Sequence, residues 1–509
     1  MSGNFFVDSL AKRGYTGQFS SLCAATDVAG AKARGGQYRY WGPDLLMLRF
    51  GHIATGVALR KRALAVAVAC ALLICTPLTS AADKAAVTAI TGGMLVDGNG
   101  GPPIHDSVVI VEGSKITATG TRGTVTIPSG AKVIDARGMT VMPGLFDAHV
   151  HLLIMGHGKY DEYFPKYRSR MRNEIMPASA KELLMHGVTS VRDMGANLED
   201  ILAVRDRVNR GEIPGPRLFI CGPFLQKTLP KVAFHYNMQI QSDFRWTIDS
   251  PEDARAKVRK LVAAGVDFIK VIQATELSQA ELQAIVDEAH KAGKTVATHG
   301  MDENELRTVL AAGVDTVEHT GLAPGSQPYS DDIVRALIAK NVYVDPTGMV
   351  IWRYKQASDF PEGRYDAEVE KDYPQDLVQD MEQSYSNFSA LPYFSDAPGW
   401  IRSAPMRWRQ LHEAGVRMLV GTDSGTPMNF HVDSTRREMQ LLVANGMTPL
   451  QVITSATKYP AMLLNKGAEL GTVEAGKLAD IIVVKGNVLE DMGNLANVVH
   501  VMKGGELFK

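Results

Sequence analysis

From Ala86 to Gly144 short apolar runs alternate with polar positions, as in "AVTAITGGMLVDG", "DSVVIVEGSKITATG" and "AKVIDARGMTVMPG", and Gly, Asp and Asn break them. A period of two separates the faces of a strand, and the breaks are turn formers, so antiparallel β-structure is expected. "GTVEAGKLADIIVVKG" and "VVHVMKGGELF" repeat the pattern near the other end. The stretches 83–142 and 466–509 are therefore expected to build one small composite β-sandwich domain.

The middle, 143–465, follows a different rhythm. Helical patterns end in Gly and run straight into an apolar strand in "MHGVTSVRD", "AAGVDFIKV", "KAGKTVATH", "AAGVDTVEH" and "EAGVRMLVGTD". Gly just past a helix provides the left-handed cap. The starts are equally clear: Ser250 with Asp253 and Ser278 with Glu281 have capping-box spacing, and Pro251 sits at a first helical position. With "LFDAHVH", "PRLFIC" and "NVYVDP", eight strands are expected. Repeated helix–Gly–strand units imply an α/β fold with a parallel sheet, closed as a (β/α)8 TIM barrel; an open doubly wound sheet is the alternative. A long insertion, about 350–402, is rich in Tyr, Phe, Trp and acids. It is expected to form a lid or helices of its own.

Composition adds bounds. The chain has 509 residues, 45% hydrophobic, with a formal net charge of −1. That balance gives no electrostatic reason to expect nucleic acid as partner. Near the start, Arg60, Lys61 and Arg62 precede an apolar stretch from Ala63 to Leu78 and the small residues Thr79 to Ala82. Residues 57–82 read as a cleavable signal peptide, too short to stay as a membrane span. A periplasmic or secreted location and no stable membrane insertion are expected. Residues 1–56 read as disordered or as an over-extended start, with translation beginning near Met47 or Val57. Of the four cysteines only Cys221 follows the leader, which excludes an internal disulfide and cysteine-rich metal sites in the mature chain.

The chemistry sits at the strand ends. "FDAHVH" ends in His149 and His151, "VDFIKV" carries Lys270, "KTVATH" ends in His299, "VDTVEH" in His319 and "RMLVGTD" in Asp423. Residues i and i+2 of a strand share a face, so the two histidines of H-x-H point the same way. In a barrel the carboxyl ends of all strands share one face, where sites form. Imidazole and carboxylate oxygen are ordinary zinc ligands, so a metal site is expected. The bare sequence leaves Lys270 open, either as a metal bridge or as a substrate-binding cation. His235 and Tyr236, after the third strand, are candidate substrate contacts.

This pattern resembles the amidohydrolase superfamily, and "GVTSVRDMG", "IPGPRLF", "IVDEAHKAGKTVATH" and "DPTG" resemble its imidazolonepropionase-like, prolidase-like branch. The resemblance spans essentially the whole mature chain. It implies a carbamylated Lys270 bridging two divalent cations, with Zn²⁺ expected, and with His149, His151 and Asp423 on one ion and His299 and His319 on the other. It implies Asp423 as the acid–base group of amide hydrolysis. The expected substrate is a small molecule or peptide: a dipeptide such as Xaa-Pro, or an N-acyl amino acid. The alternative keeps the site for a lactone, a cyclic amide or a bulky aromatic amide of the ochratoxin type. Homo-oligomers are common among such relatives, and one is expected here.

Overall fold

The computed structural model describes residues 87–228, 243–325, 327–359, 372–388, 391, 394 and 397–509. The leader, residues 1–56, His235 and Tyr236 lie outside the described residues. The first strands are β1 (Val87–Thr91), β2 (Met94–Leu95), β3 (Ser107–Glu112), β4 (Lys115–Thr121), β5 (Lys132–Asp135) and β6 (Met139–Pro143). The parallel series follows as β7 (Leu145–Val150), β8 (Val188–Asp193), β9 (Arg217–Ile220), β10 (Phe224–Gln226), β11 (Arg245–Thr247), β12 (Phe268–Val271), β13 (Thr295–His299), β14 (Thr316–Glu318) and β15 (Tyr343–Asp345). The chain finishes with β16 (Ile481–Lys485), β17 (Val498–Lys503) and β18 (Glu506–Leu507).

The two ends of the described chain do pair. One sheet has the order β4-β3-β1-β5, the other β18-β17-β16-β6-β2. β6 and β16 run antiparallel with Met142 opposite Ile482. Ile90, Val109, Val111, Ile134, Val141, Val483 and Met502 share one buried cluster across both sheets. The expectation of purely antiparallel pairing needs correction, because β1 pairs β5, and β2 pairs β6, in parallel. Alternation fixes which side chains share a face; it is the same for either strand direction.

The central strands give an α/β fold. β7, β8 and β9 pair in parallel, and so do β10, β12, β13, β14 and β15. Asp267 N–H donates to Ile220 O at 2.8 Å, joining the β9 and β12 segments. The helices between them start and stop where the residues require. Ser250 caps the helix Pro251–Ala264, which ends at Gly265 with φ 87°. A full capping box of Ser278 and Glu281 opens the helix Gln279–Lys291.

"RMLVGTD" is not the regular strand expected. Parallel bridges join Met418 to Val344 and Ser424 to Val150, but no continuous strand lies between them. The backbone N–H groups of Thr422 and Asp423 both converge on His149 O, at 3.2 and 2.7 Å. A Cβ on Gly421 would sit 2.0 Å from Asp345 Oδ2, so this close passage admits only glycine. The insertion carries its own helices, Met349–Asp359 and Gln375–Ser384, and Ala397–Glu413 follows. Among the described residues no helix is long and apolar enough to cross a membrane.

Candidate active site

β7 delivers His149 and His151 to one side of its carboxyl end. His151 Nε2 lies 3.1 Å, and His149 Nε2 3.5 Å, from Asp423 Oδ1. The His149 ring is 4.8 Å from that of His319, which is 4.5 Å from that of His299. His149, His319 and Asp423 each offer a ligand atom, all within 4.8 Å of one another. His151, Lys270, His299, His319 and Asp423 line a single cavity of about 240 Å³. The structure thus brings all six expected residues to one place. His319 and Asp423 sit at positive φ, 60° and 57°, uncommon for residues with a Cβ. Such strain persists only where surrounding contacts hold it, and it clusters at functional sites.

The electrostatics suit a cation. Burial, reinforced by the Lys270 charge, holds His149 and His299 well below the usual histidine range. His319 is lowered to about 3, mainly by burial. These imidazoles are neutral at working pH and each keeps a free lone pair. Burial also lowers Lys270 to about 8, against the opposing pull of Glu318. Its Nζ is buried without a hydrogen-bond partner. An orphaned amine beside three neutral imidazoles and a carboxylate fits a lysine that binds something further.

Behind the histidines lies a layer the sequence reading missed. His149 Nδ1 meets Glu318 Oε2 at 2.9 Å, and Arg192 Nη2 donates to Glu318 Oε1 at 3.2 Å. Asp147 accepts from Thr435 Oγ1 at 2.7 Å and Thr422 Oγ1 at 2.9 Å, yet burial still pushes it up to about 7. Glu438 accepts from the N–H groups of Gly348 and Met349, and burial pushes it to about 8. One signal was available: Arg192 and Glu318 are charges inside strands that the barrel pattern places in the core, a placement that demands a partner.

The profile of the Amidohydrolase family matches residues 140–508. The chain belongs to the amidohydrolase family. It is accordingly a hydrolase of carbon–nitrogen bonds, within a family that generally depends on metal. This amidohydrolase is 27% identical over 471 residues to an ochratoxinase from Aspergillus niger, covering 84% of this chain and 88% of the relative. Among solved structures it is similar to a Xaa-Pro dipeptidase with bound methionine in its active site. That match has TM-score 0.66 and 25% identity, covering 83% of this chain and 100% of the other. Phenylurea hydrolase B shares the fold, with TM-score 0.67 and 24% identity over 83% of this chain and 97% of that one. Together these place it with the prolidase-like members of the superfamily.

One wall of the cavity is aromatic. The Phe164 and Phe244 rings stack at 5.1 Å, and Phe224 stands edge-on to His151 at 5.9 Å. Arg245 lies over both Phe224 and Phe244, at 5.2 and 5.4 Å.

Proposed function

We propose that this chain is an exported, binuclear metal-dependent amidohydrolase. His149, His151, His299, His319, Asp423 and a carbamylated Lys270 would hold the two divalent cations, with zinc favoured by the nitrogen and oxygen donor set. The observation that carries this reading is the convergence of neutral imidazoles and Asp423 on a cavity that also receives the unpartnered Lys270 Nζ. We place the site on a closed (β/α)8 barrel; the bridges from Val344 to Met418 and from Ser424 to Val150 support that closure.

A neutral lysine amine attacks CO₂, forming an N–C bond and releasing one proton, which leaves an anionic oxygen donor. An ammonium could not do this, since it has no lone pair. With its value near 8, Lys270 supplies the neutral amine at mildly alkaline pH. Bound cations would supply Lewis acidity toward water and the scissile carbonyl. Asp423 Oδ1, between His149 and His151, takes the proton of the attacking water and returns it to the leaving amine. The aromatic wall excludes water from one side of the reacting bond and receives an apolar group.

That wall, and the likeness to an ochratoxinase, favour an amide whose acyl or amino side is bulky and aromatic, an N-acyl amino acid above a small Xaa-Pro dipeptide. The deciding experiment is amine release from a panel of N-acyl aromatic amino acids and dipeptides, with Asp423→Asn as the blank. Turnover of the aromatic amides that vanishes in the variant is expected. Preference for Xaa-Pro would reverse the substrate order, and silence on amides with turnover of a lactone would replace the scissile bond. For export, N-terminal sequencing of the natural protein should find a start near Asp83; a mature form containing Phe5 or Trp41 would refute the leader.

A further inference from the structure

We infer that Glu318 and Arg192 are positioning residues that set the metal affinity of His149. This rests on the metal-site reading above. Glu318 and Arg192 are both fully buried and ion-paired at 3.2 Å. Arg192 is fixed further by donating to Thr316 Oγ1 at 3.3 Å and by lying 4.7 Å over the Phe268 ring. An ion-paired carboxylate only accepts, so the 2.9 Å contact places the proton on His149 Nδ1. The bare lone pair is then on Nε2, the atom 3.5 Å from Asp423. Both the ring orientation and the tautomer are determined before a cation arrives.

His319 makes the comparison internal to the molecule. Its Nδ1 is 2.8 Å from Thr347 Oγ1, whose own proton goes to Pro346 O at 2.8 Å. The tautomer is again fixed, but by a neutral hydroxyl. A carboxylate acceptor makes an imidazole more electron-rich than a hydroxyl does, so the His149 ion is the tighter of the pair. Loss of such a partner typically weakens metal binding by roughly 10- to 100-fold.

The test is a zinc titration of the full chain in bicarbonate buffer, read by competition with a chromophoric chelator. Wild type is expected to bind in two steps. In Glu318→Gln the tighter step should weaken by about 10-fold or more while the weaker step stays within about threefold. If both steps shift together, or neither does, the inference is overturned, because a general structural defect would not single out one ion. Should Glu318→Gln not fold, Glu318→Asp keeps the charge but shortens the reach, and the same selective loss is required. A wild type that binds one ion would overturn the two-cation reading, and the response of that single step to Glu318→Gln would still decide this one. Failure of wild type to bind zinc would overturn both.

Discussion

Asp423 owes its place to an unfavourable backbone, φ 57°, held by its N–H donating to His149 O at 2.7 Å. Asparagine fits the same space and keeps that bond. Asp423→Asn should therefore melt close to wild type while turnover falls by about 100-fold or more, the usual worth of a positioned acid–base group. Retention of a tenth of the activity would remove the role assigned to it. Lys270→Met should abolish activity, and added bicarbonate should not restore it; in wild type, activity after CO₂ stripping should return on adding bicarbonate. The six clustered residues were readable because each is a polar residue at or next to the end of an apolar run. Glu318 and Arg192 were not, since within a strand the sequence does not say which charge meets which. The hydrogen-bond partners behind His149 became visible only with atoms in place.

Helix boundaries were the most readable features of the fold. Ser278 accepts from Glu281 N–H at 3.3 Å, and the Glu281 carboxylate accepts from Ser278 N–H at 2.8 Å, as their spacing foretold. Ser278→Ala should cost about 1 kcal/mol in a denaturant titration without touching KM. The segment holding Asp423 was misread as an ordinary strand because its irregularity comes from a distant neighbour, the Asp345 carboxyl packed against Gly421. Gly421→Ala should displace that carboxyl or the bridge itself, and should depress zinc binding as well as stability. Strand direction in the β1–β5 and β2–β6 pairs was likewise invisible, being decided by how the intervening hairpin crosses.

Acid stability depends on groups buried in an unfavourable state. Burial lowers His431 to about 3 from the ordinary 6.5. Below 6.5 the unfolded chain gains a proton that the folded chain refuses, so this contribution is complete above pH 6.5 and fades as pH falls toward 3. Against His431→Gln, the wild type should lose about 2 kcal/mol more on going from pH 8 to pH 5, measured by urea unfolding. Parallel slopes for the two proteins would contradict this. Asp147 and Glu438 act in the opposite sense, being raised to about 7 and 8. Their contribution is complete below about 4 and fades as pH rises through those values, so only the difference between the two proteins isolates His431.

The pairing of β6 with β16 has a bearing on the order in which the chain folds. β6 leads through Gly144 directly into β7 and His149, yet its antiparallel partner is residues 481–485, more than three hundred residues further along the chain. A nascent chain leaving the ribosome therefore holds β6 without this neighbour until residues 481–485 have been made. Contacts between such distant segments form late, because closing so long a loop is costly in entropy. Chain entropy thus makes the anchoring of the strand that carries His149 one of the slower steps of folding, and a complete site waits on it.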